Sequence, residues 1–222
     1  MRVMIAVPCM DNVPTRFSEA LGAMEKPPGT ALCYKQNSLV YDARNLLSLT
    51  AIEGKYDYVL WVDSDVIVPR DALTQLLQDM QETEPYVQMI SGLYVKKQIP
   101  TVPVIYDKVQ PPEEVCGHMQ RMISEYTDYP RNSLFEIAGC GFGCVLTSVA
   151  LLKDVWDNCG PAFSPYPWAG EDLSFCWRVR SLKRYRIACD SRVSCGHIGQ
   201  FEYTEALLGA RGGEEHEKPA DG

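Results

Sequence analysis

No apolar run in this 222-residue chain approaches the roughly 20 residues of a bilayer-spanning helix, so no membrane span is expected. Cations are also short: 21 Lys and Arg face 29 Asp and Glu, a net charge of −8. That deficit argues against a nucleic-acid partner held through its phosphates, which requires clustered Lys and Arg. An anionic small molecule would need a cation supplied locally. No Cys-x-x-Cys pair occurs, and the nine cysteines are an odd number spread through apolar segments. Cys140 and Cys144 lie four apart, but no second pair completes a zinc site. This usage predicts reduced core thiols and a cytoplasmic protein. The opening Met1-Arg2-Val3-Met4-Ile5-Ala6-Val7-Pro8 carries too short an apolar run for a signal peptide. No glycine-rich phosphate loop ending in Lys-Ser/Thr is present, and no dinucleotide fingerprint follows a strand into a helix.

What is present is enough apolar residue, 46%, to bury a core, and a length suited to one domain, which we place at residues 1–208. From Gly209 onward the chain is polar and poor in bulky residues, which predicts a disordered tail with no role for His216. Val3 to Val7, stopped by Pro8, reads as a central strand buried on both faces. A helix is expected over Thr15–Met24. A second is expected after an Asn37 cap, with Leu39, Val40, Ala43, Leu46, Leu47 and Thr50 as its stripe and Asp42, Arg44 and Asn45 turned elsewhere. Tyr58 to Val62 is another strand. Pro69-Arg70-Asp71 opens a helix with Leu73, Leu76, Leu77 and Met80 on one face and an acid in its first turn. Strands follow at Val87–Tyr94, Thr101–Tyr106 (an edge) and Leu134–Ala138. A polar surface excursion fills 107–132, with His118 solvated. Cys144 to Thr147 is a strand leading to a helix capped by Ser148, and Glu171 to Arg180 is a helix. Two short strands, Arg184–Cys189 and Val193–Cys195, end the pattern. Strand–helix alternation of this kind predicts an α/β fold: three layers, α/β/α, with a mainly parallel mixed sheet.

Four short features carry chemistry. Asp63-Ser64-Asp65 stands where the 58–62 strand stops, the end of a parallel strand at which ligands bind, although a polar turn would look the same. Gly139-Cys140-Gly141-Phe142-Gly143 lets backbone approach something closely, or is a tight turn. Glu171 and Asp172 open a helix, where acids also serve as caps, just after an aromatic stretch containing Trp168. His197 lies between Gly196 and Gly199 late in the chain.

In this order the set resembles glycosyltransferases of the GT-A fold, close to glycosyltransferase family 2, whose pattern is Asp-x-Asp, a glycine-rich acceptor loop, x-Glu-Asp and a late histidine. Ala43-Arg44-Asn45 before the Asp-x-Asp strand adds to the likeness, which spans about residues 1–200. The resemblance implies a nucleotide-sugar donor, a hydroxyl acceptor and a cation, Mn²⁺ or Mg²⁺. It implies Asp65 and His197 as ligands of that ion, with Asp63 on the ion or the ribose. Pro8, Arg44 and Ser64 would border the nucleotide. Asp172 would be the general base with Glu171 as its neighbour, and Gly141, Phe142 and Trp168 would border the acceptor.

The chemistry calls for such residues whatever the name. A diphosphate leaving group cannot be neutralised by an acidic protein alone; a divalent cation does it, and an imidazole ligand favours Mn²⁺. The attacking hydroxyl must lose a proton, which a carboxylate can take, although a helix amino terminus should lower the basicity of Asp172. Two alternatives share the fold: a sugar-phosphate nucleotidyltransferase, and a carbohydrate-binding protein without catalysis.

Overall fold

Continuous apolar runs punctuated by turns build a seven-stranded sheet in this computed structural model, which describes residues 1–83, 85–116, 118–199 and 202–208. The strands are β1 (Val3–Cys9), β2 (Ala31–Gln36), β3 (Tyr58–Val62), β4 (Val66–Ile67), β5 (Val87–Leu93), β6 (Ile105–Val109), β7 (Glu113–Val115), β8 (His118–Gln120), β9 (Ile123–Glu125), β10 (Leu134–Ile137), β11 (Gly139–Cys140), β12 (Cys144–Ser148), β13 (Arg186–Ser194), β14 (Gly196–Ile198) and β15 (Glu202–Tyr203). The helices are α1 (Thr15–Ala23), α2 (Val40–Glu53), α3 (Ala72–Thr83), α4 (Val149–Cys159) and α5 (Glu171–Ser181).

The large sheet has the order β10-β13-β5-β12-β3-β1-β2. Strands β1, β2, β3, β5 and β13 run one way, and β12 and β10 run against them, which makes a mostly parallel, mixed sheet. All seven residues of β1 are buried, as expected of a strand covered on both faces. Its side chains alternate between two cores. Met4, Ala6, Val59 and Trp61 join Leu47, Val155 and Phe175 from α2, α4 and α5. Val3, Ile5, Leu60 and Val62 join Phe17, Leu21, Leu73 and Leu76 from α1 and α3. In the first core, Trp61, Phe142, Phe163 and Phe175 pack ring on ring, with centroids 4.6–6.0 Å apart. Deleting one such ring costs about 3–5 kcal/mol.

The α3 stripe of Leu73, Leu76, Leu77 and Met80 is buried as expected, and Ser148 Oγ caps α4 by accepting from the Leu151 amide at 3.0 Å. Other elements differ from expectation. Asn37 does not cap α2: it sits at φ 53°, a left-handed conformation that asparagine tolerates, and Leu39 is the cap residue. The buried face of α2 is Ala43, Arg44, Leu47, Ser48 and Ala51, whereas Leu39, Val40 and Leu46 are exposed. Helix α3 begins at Ala72, leaving Asp71 just outside and no acid in the first turn. Strand β2 was not expected: at the sheet edge it alternates half-buried and exposed residues, with Leu32 and Tyr34 outward, and so lacks a continuous apolar signal. The two short strands expected near 184–195 are one bulged strand, β13. Ile105 to Val109 pairs in a separate three-stranded sheet with β9 and β11, so the glycine stretch begins as a strand and is buried rather than an open turn. The expected tail and His216 lie outside the described residues. Six of the nine cysteines are buried, Cys33 is half-buried, Cys116 and Cys159 are exposed, and none forms a disulfide. Among the described residues, no helix is long and apolar enough to cross a membrane.

Candidate active site

The carboxyl ends of β1 and β3, the first turns of α2 and the opening of α5 face one cleft of about 300 Å³. Pro8, Cys9 and Met10 come from β1 and its exit; Asp63, Ser64 and Asp65 leave β3; Ser38, Val40 and Arg44 belong to α2 and its approach; Glu171 and Asp172 start α5. Tyr94 and Phe142 complete the wall. This is the edge of the sheet where loops leave parallel strands, the place where open α/β folds bind ligands.

Arg44 organises the acids. It is 2% exposed, an unusual fate for arginine. Its Nη2 donates to Asp63 Oδ1 at 2.7 Å, Nη1 donates to Glu171 Oε1, and its guanidinium lies 5.2 Å from the centre of the Phe142 ring. A planar fork that serves two carboxylates 108 positions apart in the chain joins β3 to α5 across the cleft. Burial pushes the Asp63 carboxyl up, and Arg44 opposes this.

Asp65 has a different environment. Its Oδ2 accepts from Lys97 Nζ, and its Oδ1 lies 3.7 Å from His197 Nε2. Burial pushes the carboxyl up, but a doubly protonated His197 ring and the Lys97 ammonium, by hydrogen bond and charge, more than offset that and hold it at about 2. Strand β14 pairs with β4, which immediately follows the acids, with His197 opposite Val66, and the Ile198 amide donates to the Asp65 carbonyl at 2.7 Å. A local sheet thus fixes the distance between histidine and aspartate. His197 Nδ1 is 2.8 Å from the Val95 carbonyl, which can only accept. In the neutral ring the proton therefore sits on Nδ1, and Nε2 turns a lone pair toward Asp65, the tautomer of a metal-ligating histidine.

Asp172 sits at the first turn of α5, and its Oδ1 accepts from the Leu173 amide at 2.7 Å. The helix terminus was expected to lower its basicity. Instead burial, with the charge of Glu171 beside it, pushes its carboxyl up to about 6, outweighing Arg44 and the amide.

The cleft thus gathers Pro8, Arg44, Asp63, Ser64, Asp65, Phe142, Glu171 and Asp172, with His197 beside Asp65. Gly141 and Trp168 lie off its lining. Gly141 is buried, and a Cβ there would stand 2.0 Å from the Tyr94 hydroxyl; one at Gly143 would stand 2.7 Å from the same ring. These glycines make room for Tyr94, whose oxygen accepts from the Gly143 amide at 3.3 Å. Phe142 is core as well as wall, 1% exposed. Trp168 stacks on Tyr166 (centroids 5.5 Å apart) and meets Trp177 edge-on. Lys97 and Tyr94 also belong to the site, and no motif contains them. Tyr94 could have been found as the last residue of an apolar strand, but nothing in the sequence marks Lys97. Among the described residues, no group of three or more His, Cys, Asp or Glu is assembled as a metal site.

No family model and no curated protein matches this chain. Among solved structures it is similar to A197 from STIV, whose crystal structure superposes with a TM-score of 0.66 at 19% identity over 90% of this chain and 86% of that one. In all, 252 solved chains match, so the likeness marks a shared architecture rather than an activity.

Proposed function

We propose that this chain is a GT-A-type glycosyltransferase, a three-layer α/β/α catalytic unit that moves a sugar from a nucleoside diphosphate to an acceptor hydroxyl. One observation carries the reading: a single cleft at the ends of β1 and β3 holds Asp65, with His197 beside it, and Asp172 apart from them at the start of α5, and the two carboxyls are pushed in opposite directions. Acids whose surroundings drive their titration apart are suited to different tasks.

Asp65 stays ionised throughout the working range and, with His197 Nε2, fits a divalent cation that takes its remaining ligands from phosphate and water. When bound, Mn²⁺ or Mg²⁺ would act as a Lewis acid on the departing diphosphate, an effect of several kcal/mol. Asp172 titrates near the pH at which a base is both ionised and still basic, so it takes the proton of the attacking hydroxyl in an inverting displacement. Below about pH 6 it is protonated, and transfer should decline on that limb. Glu171 and Asp63, bridged by Arg44, hold the α5 opening and the β3 exit in register, so that base and donor face each other. Pro8 and Ser64 border the nucleotide, and Phe142 stands in the cleft wall.

The test is to incubate the protein with Mn²⁺ and a panel of nucleotide sugars and to measure free nucleoside diphosphate with and without acceptors. Metal-dependent release is expected, and Asp65→Ala should abolish both release and metal-dependent nucleotide binding. Neither release nor metal-dependent binding of any nucleotide sugar would sink the reading. Pyrophosphate released from a nucleoside triphosphate plus a sugar phosphate would replace it with a nucleotidyltransferase.

A further inference from the structure

We propose that Lys97, which bonds Asp65, is a ligand of the donor diphosphate and exchanges that carboxylate for the phosphates when a cation binds; this rests on the function proposed above. Four carboxylates, Asp63, Asp65, Glu171 and Asp172, line the cleft. Two cations sit on them, and they differ in freedom. Arg44 is buried and committed to Asp63 and Glu171 at once. Lys97 is about one-third exposed and, among the described residues, bonded to one partner, Asp65 Oδ2.

The chain that carries Lys97 is built to place it. The segment leaves β5 and returns to β6 as a closed loop: the Lys96 amide donates to the Val102 carbonyl at 2.9 Å, the Val104 amide to the Tyr94 carbonyl at 2.9 Å, and Val95 bridges Pro103. Lys96 is tied outward to Glu125 at 2.8 Å, leaving the neighbouring Lys97 to point the other way, toward the cleft. The Lys97 stem runs beside Gly199, where an added Cβ would lie 3.5 Å from Lys97 Cδ. The same loop supplies the Val95 carbonyl that sets the His197 tautomer. One loop therefore positions both the imidazole and the ammonium that face Asp65.

An ion ligated by Asp65 Oδ1 and His197 Nε2 would share a single carboxylate with Lys97, which is bonded to the other oxygen, Oδ2. Two positive charges on one carboxylate repel each other, which weakens the hold of Oδ2 on the ammonium as the ion binds. Its four-carbon stem lets the head move without the backbone. In the proposed reaction the anionic group that comes in with the ion, into a cleft lined by four carboxylates, is the diphosphate. A point-charge lysine on phosphate is the contact this move completes.

The prediction is a pair of changes of opposite sign in Lys97→Met. Affinity for Mn²⁺ alone, read by electron paramagnetic resonance titration, should rise several-fold because its competitor is gone. Affinity for the nucleoside diphosphate, titrated calorimetrically at saturating Mn²⁺ with UDP, GDP, ADP and CDP in turn, should fall about tenfold, the scale of one charge-assisted hydrogen bond. Lys97→Arg should restore most of the diphosphate affinity. If Lys97→Met tightens Mn²⁺ binding but leaves every diphosphate unchanged, or changes neither, Lys97 is only a resting counter-ion and the inference fails while the function stands. If the wild-type protein binds none of the four diphosphates with Mn²⁺, the proposed function falls first.

Discussion

Two aspartates in this molecule are pushed up to about the same value, near 6, and only one of them faces a cleft. Asp172 opens α5 at the rim of the candidate active site. Asp79 lies on α3 against β13, with its side chain 3% exposed, beside Asp190 at 0%. Both are raised chiefly by burial, and each has an acid as neighbour. What differs is where the proton can go. Asp79 and Asp190 are bridged by Arg192, which donates from Nη2 to the first at 2.6 Å and from Nε to the second at 2.8 Å. Among the described residues their Oδ2 atoms find no donor, and protonation of Asp79 would supply one. That pair ties helix to strand. Asp172 has open space before it. A perturbed acid is thus a catalytic candidate only with access, and access is a property of topology rather than of titration.

Asp172→Asn should separate the two most sharply: transfer falls by about a hundred- to ten-thousandfold while donor binding is spared. Calorimetry with the donor alongside steady-state rates checks it, and near-normal turnover would remove Asp172 as the base. A smaller effect is expected from Arg44→Met, which strands Asp63 and Glu171 without their shared partner and should destabilise the fold by about 3 kcal/mol, the lower end for broken buried pairs because both acids keep some contact with water. Urea unfolding gives that number. Asp79→Asn should leave turnover intact and show only in the pH dependence of stability. The folded protein binds the Asp79 proton more tightly than the unfolded chain does. The stability this contributes is therefore full below about pH 4 and is lost as pH rises through about 6. Its slope cannot exceed roughly 1.4 kcal/mol per pH unit for one proton. The variant should flatten that fall; if it abolishes transfer instead, the contrast between the two aspartates collapses.

The parts of the fold legible in sequence were those written as continuous runs or single stripes. Five apolar residues at Tyr58–Val62 could only be a covered strand, and the α3 leucines could only be one face of a helix. Strand β2 was hidden because its outward residues include the apolar Leu32 and Tyr34, so its alternation in exposure is not matched by an alternation in polarity. Arg44 was placed on the wrong face of α2 because charge is normally evidence of exposure, and only the carboxylates of two distant elements overturn that rule. The site was legible as motifs: Asp63, Asp65, Glu171 and Asp172 do meet. Lys97 was not, because its place on Asp65 depends on how a loop between β5 and β6 folds back, which no local pattern encodes.

The reversed strand β12 has a consequence of parity. Ser148 pairs with Tyr58, so the chain leaves β12 at the end of the sheet where β3 begins, and β13 must also start from that end because it runs parallel to β5. Between two points on the same side, a chain makes either no crossing or an even number. It makes two, up along α4 and down along α5. The turning point of that round trip is the aromatic stretch 160–170, and the first residues of the return leg are Glu171 and Asp172. The inverted strand in the middle of the sheet thus accounts for an aromatic stretch and a buried acid arriving together at the far rim, beside residues that left β3 a hundred positions earlier.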